Sequence, residues 1–284
     1  MNQGEGEVNE PEHYEKVVKY IVKNTPFGQA NLVIKDLCKI IGNINPQHSI
    51  MLQALRDHNE EHLALFKGQN TQILTNVLNS QEDFYVDQKN NETIQVDHEK
   101  LEIISRSQVE LPSDPELNQL RDALEQQLNL YLSQQFNEKV CGAYVMYQGD
   151  ASDFTFYLGI TAKTINLPNF FCGSWISTWE FTKTQLKGDL KVQAHYYEDG
   201  NVQLKNVNTF SEGINVDLSA ASESAKQIIH TITRLENKHL TGMDNLYNSM
   251  PDIFFKAMRR PLPITGTKMN WNENVHKLVA NLKQ

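Results

Sequence analysis

Apolar residues recur at intervals of three and four in three early stretches of the chain. Tyr14, Val17, Val18, Ile21 and Val22 predict an amphipathic helix that opens at Pro11 and stops at Thr25-Pro26-Phe27-Gly28. Leu32, Ile34, Leu37, Ile40 and Ile41 predict a second, closed by Gly42, and Ile50, Leu52 and Leu55 a third, from about Pro46 to Leu65. Short joints between three helices suggest a small antiparallel bundle over 11–66, behind a loose Gly, Glu and Asn-rich start at 1–10. From 67 to 139 the pattern weakens. Short β-like pieces (Gln72–Leu78, Thr93–Asp97) precede a break at Pro112 and Pro115, after which Leu117, Leu120, Leu124, Leu128 and Tyr131 spell a helix.

The period then changes from four to two. Val140–Tyr147, Phe154–Ala162, Ser174–Thr182, Leu190–Tyr197 and Asn201–Val207 are β-rich runs separated by turn chemistry such as Gly149-Asp150 and Asp199-Gly200-Asn201, so 140–207 reads as a five-stranded antiparallel meander. In the fourth run Leu190, Val192, Ala194 and Tyr196 share one face and Lys191, Gln193, His195 and Tyr197 the other, which predicts one strongly apolar sheet face. A helix from Ser222 to Met250, within 208–250, carries Ala225, Ile228, Ile229, Ile232, Leu235 and Met243 at helical spacing and is expected to cover that face with Ser222 as N-cap. At 1.5 Å per residue it would be about 40 Å long, more than five strands at about 4.8 Å are wide. A second subunit that extends the sheet is the expected consequence.

Charge sets the last segment apart. Residues 251–284 hold Lys256, Arg259, Arg260, Lys268, Lys277 and Lys283 against Asp252 and Glu273, a net +4, whereas the whole chain is −9. A basic tail on an acidic body points to an acidic partner. Pro261 and Pro263 stiffen the tail's middle, and Trp271, Val275, Leu278 and Leu282 form a narrow apolar stripe on a final helix. That helix is near the length at which isolated helices are marginal in water, so it should fold only when docked.

Candidate chemistry is sparse. Cys38, Cys141 and Cys172 are widely spaced, which argues for free thiols in a reducing, cytoplasmic compartment; there is no signal-like start and no run of about 20 apolar residues. His58-Asn59-Glu60-Glu61-His62 resembles a zinc-protease motif but lacks Glu after the first His, and is expected to be a polar helix face rather than a metal site. His195 is expected to make a structural hydrogen bond. Trp175, Trp179 and Tyr196 suggest core or subunit packing rather than a nucleic-acid stacking platform. No nucleotide-binding or nucleophile-elbow motif is present, and no catalytic residue, metal or cofactor is expected.

Three contiguous segments carry a family resemblance: HYYEDGNVQL (His195–Leu204), the Trp175-x-Ser177-x-Trp179-x-Phe181 run after Phe170-Phe171, and FKAMRRPLPITGTKMNW (Phe255–Trp271). Taken in their order along the chain they resemble the α subunit family of F-actin capping protein. The resemblance implies an α+β fold with an N-terminal three-helix stalk, a central sheet under long helices and a C-terminal tail helix, in a pseudo-symmetric heterodimer with a similar β subunit. It implies binding to the barbed end of the actin filament and a block on subunit addition and loss there. The actin-binding residues it implies are Lys256, Arg259, Arg260, Lys268, Trp271, Val275, Leu278 and Leu282. Trp175, Trp179, Tyr196, Ile228, Ile232 and Leu235 are the candidates for the subunit interface. Acidic phospholipids and capping-protein regulators are further implied partners. Where the family pattern has arginines, this chain has Ser174, Ile176 and Gly266. That loss motivates a rival reading, a structural subunit that caps an actin-related filament in a dynactin-like assembly.

Overall fold

The computed structural model describes residues 10–42, 45–46, 48–67, 72–76, 78–81, 84–136, 140–198 and 202–249. The chain divides into two compact units, Met1–Thr233 and Arg234–Gln284. In the second unit the described residues are the last part of one helix.

Three helices open the first unit: α1 (Glu10–Lys23), α2 (Ala30–Ile40) and α3 (Ser49–Glu61). Part of each predicted stripe is buried: Val18, Val22, Ile34, Leu37 and Leu55 form one core together with Met51, whereas Val17, Ile21, Leu32, Ile40 and Leu52 of the same stripes are exposed. The third helix is shorter than its pattern suggests. Leu63 takes a left-handed conformation (φ 45°) and ends it, at a cost of roughly 1–2 kcal/mol. Burial of the Leu63 side chain (2% exposed) offsets this by about 1.5–3 kcal/mol.

The chain then enters a six-stranded sheet that periodicity only hinted at. Its strands are β1 (Leu65–Lys67), β2 (Gln72–Leu74), β3 (Ser80–Gln81), β4 (Phe84–Asp87), β5 (Glu92–Asp97) and β6 (Glu102–Gln108), in the order β2-β1-β6-β5-β4-β3. Phe66, Tyr85, Ile94 and Val96 form its core. The Tyr85 hydroxyl donates to Glu60 Oε1 (2.6 Å), and Arg56 Nε reaches the same carboxylate at 3.0 Å. One buried carboxylate thus ties α3 to this sheet.

The five-stranded sheet has the predicted meander order, β11-β10-β9-β8-β7, antiparallel throughout. Its strands are longer than the β-rich runs: β7 (Val140–Gly149), β8 (Phe154–Asn166), β9 (Phe171–Phe181), β10 (Gln185–Tyr196) and β11 (Val202–Gly213). One face is almost sealed, with Phe156, Leu158, Ile160, Trp179, Phe181, Leu186 and Leu190 at 2% exposure or less. On it Phe156 stacks on Phe181 (5.0 Å between centroids) and Trp179 on Phe210 (5.3 Å). The second pair closes over Gly188, which faces both residues across the strands.

A helix that was not expected there packs on this face. Asp114 caps α4 (Pro115–Gln135) by accepting from the amides of Glu116 and Leu117, and Pro115 supplies a first-turn residue with no amide to satisfy. Leu117, Leu120, Leu124 and Leu128 are buried. The Tyr147 hydroxyl accepts from Asp114 N and donates to Asn118 Oδ1, which pins the start of α4 to β7. At its other end Phe136 meets Trp175 of β9. The last helix, α5 (Ala221–Ser249), follows a single turn at Leu218–Ala220. The lead-in is organised by Ser224, whose hydroxyl accepts from Asp217 N and donates to Asp217 O, so Ser222 is not the N-cap. Ala225, Ile228, Ile229 and Ile232 are its buried stripe.

The other face of the sheet is not simply polar and solvated. His195 is 8% exposed while Tyr196, placed by alternation on the apolar side, is 40% exposed. The N-terminal helices and their connections cover one end of this second face, and β10 runs beyond the covered part of the first.

Candidate subunit interface

Among the described residues β11 has a neighbouring strand on one side only. Its pairing with β10 runs without interruption from Gln185↔Gly213 to Tyr196↔Val202. No proline or bulge blunts the outer edge, and between Val202 and Gly213 the charged residues are Lys205 and Glu212. Apolar side chains lie open on both faces: Val202 (64% exposed), Leu204 and Val207 (63%). A strand of this length that leaves one row of backbone donors and acceptors unpaired by another strand is a template for a partner.

The surface continues onto α1. Lys205 Nζ lies 3.5 Å from Asn24 O, which brings the end of α1 beside β11. That helix is apolar on two sides. Val18 and Val22 face the bundle core, while Val17, Tyr20 and Ile21 are exposed. A second apolar side is unnecessary for the bundle itself and suits a partner helix.

A buried polar joint holds the three helices on the sheet. Lys163 Nζ, on β8, donates to Leu63 O at 2.9 Å and sits 3.7 Å from the centroid of the Phe27 ring. Burial pushes its amine well below the ordinary lysine range. Gln29 Nε2 lies 3.0 Å from His195 Nδ1 and 3.7 Å from Cys172 Sγ, and Lys191 pairs with Glu61. His195 therefore has the structural hydrogen bond expected of it.

His58 and His62 are a correction. Both were expected on a polar helix face, and both are buried, at 1% and 3% exposure, with their rings 4.3 Å apart. They meet the last carbonyls of α1, His58 those of Val22 and Lys23 and His62 that of Lys23, so two imidazoles from α3 cap the C-terminus of α1. Each Nδ1 lacks a hydrogen-bond partner among the described residues. Burial, with the Lys163 charge adding to it, lowers His58 to about 4; burial and His58 lower His62 further. Neutral imidazole is the form that fits here. Among the described residues there is no group of three or more potential metal ligands.

The residues expected at a subunit interface separate into two sets. Trp175, Trp179, Ile228, Ile232 and Leu235 are buried within this single chain, at 8% exposure or less, whereas Tyr196 is open and hydrogen-bonds to Glu198. Trp175 Nε1 is buried with no acceptor among the described residues. Ser174 and Ile176, in place of family arginines, are buried on the second sheet face. The tail residues Lys256, Arg259, Arg260, Lys268, Trp271, Val275, Leu278 and Leu282, together with Gly266, lie outside the described residues. The exposed apolar residues of β11 were missed by the sequence reading. Their signal was available in NVQLKNV, where Val202 and Leu204 fall on one face and Val207 on the other.

The family model described as F-actin capping protein alpha subunit matches residues 18–281. The chain belongs to this family. Capping protein α subunits similar to it include that of Arabidopsis thaliana, 28% identical over 92% of this chain and 89% of the relative. The Dictyostelium discoideum subunit is 31% identical over 69% and 71%, and that of Caenorhabditis elegans 28% over 91% and 93%. The fold is also that of the homodimeric actin capping protein alpha subunit from Plasmodium berghei, with a TM-score of 0.71 at 19% identity, covering 82% of this chain and 92% of that one. Among the described residues, the joined edge of β11 and α1 is an open apolar surface. No helix among the described residues is long and apolar enough to cross a membrane.

Proposed function

We propose that this chain is the α subunit of a heterodimeric F-actin capping protein that binds filament barbed ends and blocks subunit addition and loss. The observation that carries the reading is the family match over residues 18–281, which includes the basic tail. The open β11 edge supports a β subunit whose own sheet continues this one, with α1 against the partner's helices to form a common stalk. In this reading Lys256, Arg259, Arg260 and Lys268 steer the tail to acidic actin surface, and Trp271, Val275, Leu278 and Leu282 occupy an apolar cleft on a terminal actin. Acidic phospholipids and regulators would compete for the same basic residues in the cytoplasm. No step in this function requires a catalytic group or cofactor.

Steering is screened within about 10 Å at 0.1 M salt. Association of the αβ complex with filament ends is therefore expected to slow as ionic strength rises, while dissociation follows the apolar stripe. Seeded pyrene-actin elongation, with the chain co-expressed with a β subunit, tests the reading. Barbed-end growth that continues unchanged at micromolar complex overturns it. Gly266→Arg restores one family charge and is expected to tighten capping at low salt by the value of one exposed charge pair, roughly 0.2–1 kcal/mol or up to about fivefold. Unchanged affinity would remove position 266 from the actin-facing surface. The absence of arginine at 174, 176 and 266 supports a second reading, capping of an actin-related filament. Affinity purification that recovers an actin-related protein without actin would favour it.

A further inference from the structure

We infer that the outer edge of β7 is a binding slot for an extended, uncharged peptide segment, which enters between α4 and the small sheet and adds one short strand to the five-stranded sheet. The slot does not depend on a β subunit, since β7 and β11 are opposite edges of that sheet. Pairing of β7 with β8 is unbroken from Val140↔Lys163 to Gly149↔Phe154. The side chain of Gln88 shows which way the outer backbone groups point. Gln88 Oε1 accepts from Tyr147 N at 2.9 Å, and Gln88 Nε2 donates to Tyr147 O at 3.0 Å. Both backbone groups of Tyr147 therefore face away from β8, with a side-chain amide standing where a neighbouring strand would. Alternation along an antiparallel strand turns the backbone groups of Val145 and Ala143 the same way. Among the described residues these two amides and two carbonyls have no hydrogen-bond partner.

Val145 is 6% exposed, and its backbone and that of Ala143 line a cleft of about 360 Å³. Unpaired backbone groups in so buried a strand are rare, and they mark a place that a further chain would fill. Leu74 and Asn79 stand on one side of the cleft, Glu125, Leu128 and Asn129 of α4 on another, and Gln88 at the Tyr147 end. An edge flanked in this way suits a single strand rather than a second sheet. Three residues of an antiparallel peptide are enough to use it. Those opposite Val145 and Ala143 each exchange two hydrogen bonds, and the residue between them lies opposite Tyr144. The outer two share the face of Val145, on the side of Leu128; the middle one shares the face of Tyr144 and Gly142, on the side of Leu74. Small apolar side chains match both sides. The charged groups of the cleft are already engaged with one another: Lys89 pairs with Glu125, and the Asp87 carboxylate accepts from the amides of Lys89 and Asn90 and from Asn90 Nδ2. A charged peptide residue would find no free counter-charge there, which is why the segment is uncharged.

The test uses the full chain, alone or in complex with a β subunit, and the probe peptide dansyl-Gly-Val-Ala-Val-Gly-amide, which carries no charged residue. Fluorescence anisotropy is expected to show saturable binding with a Kd below about 1 mM. N-methylation of both valines removes the donors that meet the Val145 and Ala143 carbonyls while keeping the side chains, and should weaken binding roughly tenfold or more. On the protein side, Ala143→Pro deletes an amide that the pairing with β8 does not use, a change an edge strand tolerates, and should weaken binding several-fold with an unchanged far-UV spectrum. If that variant does not fold, Asn129→Trp, at an exposed position of α4, obstructs the cleft from outside and should do the same. Hydrogen exchange read at single amides gives the register. The Ala143 and Val145 amides should exchange freely in the unliganded chain and slow when the probe is added, whereas Tyr144, whose amide faces β8, is slow throughout. Absence of saturable binding up to several millimolar, or equal binding of the N-methylated probe, overturns the inference. Protection of the Ala143 and Val145 amides in the unliganded chain overturns it too, since the slot would then be filled by the chain itself.

Discussion

Trp179→Ala is expected to lower the unfolding free energy by about 3–5 kcal/mol, the usual cost of emptying a buried aromatic site. Trp179 is 2% exposed and stacks on Phe210, and its Nε1 donates to Ser177 Oγ at 2.6 Å. The residue beneath it gives the complementary experiment. A Cβ on Gly188 would stand 2.2 Å from Cε3 of the Trp179 ring and 2.4 Å from Cδ2, far inside contact distance and against a ring that its neighbours hold. Gly188→Ala should therefore cost about 1–3 kcal/mol through overpacking. Because the clash is with the ring itself, the two changes should not add. In the Trp179→Ala background the added methyl enters vacated space and its cost should shrink or change sign. Urea midpoints of the single and double variants, at constant m, measure the coupling. Simple additivity would mean that Trp179 does not constrain position 188.

Gly188 also shows what the sequence could and could not convey. The meander was readable because its turns are short and chemically marked, and because each strand pairs with the next in sequence. Helix α4 was readable from leucines at helical spacing behind Asp114-Pro115, and the three N-terminal helices from their apolar spacing, the third ending at Glu61 rather than near Leu65. The six-stranded sheet was largely hidden. Three of its strands have two or three residues with no alternation to detect, and its closure depends on β1 meeting β6 in parallel at Lys67↔Glu102, a contact without a local signal. His58 and His62 were misplaced for a related reason. Their polarity suggested solvent, whereas the carbonyls that receive them belong to α1, some 35 residues earlier, and only tertiary packing brings these together.

The candidate interface was legible in principle but not in location. An overlong helix implied a partner, yet composition cannot say which edge of a meander remains open. Among the described residues the edge without a neighbouring element is β11, since β7 at the other end of the sheet is flanked by α4 and by the small sheet, against which Gly142 packs at Leu65 and Leu74. The aromatic run in β9, the strongest local signal of the resemblance, proves to be the core that shapes the sheet rather than the surface it offers.

The buried histidines predict that stability falls with acidification in a window set by their own titration. Burial holds His58 at about 4; His98 is lowered to about 4 by burial and then by the Arg56 charge, and His62 lies lower still. In the unfolded chain each returns to about 6.5. The sign follows from proton uptake. Between pH 6.5 and 4 the unfolded state binds protons that the native state excludes, so unfolding free energy is fully present above 6.5 and declines as pH falls towards the folded values. At about 1.4 kcal/mol per unit, His58 and His98 would each remove on the order of 3 kcal/mol by pH 4. Carboxylates such as Asp150 and Asp217, lowered chiefly by hydroxyl hydrogen bonds from Ser152 and Ser219, act below this window. The depressed amine of Lys163 works in the same direction, adding stability as pH rises towards 10.5, the value it regains on unfolding. His58→Gln keeps an N–H for the end of α1 but cannot titrate. It should be less stable at pH 7, through imperfect packing, and lose stability less steeply between pH 6.5 and 4, by the contribution of about one proton. Urea unfolding at half-unit pH steps reads that slope directly. An unchanged slope in His58→Gln would show that His58 titrates normally in the native chain, and so that the imidazole cap of α1 is open to water.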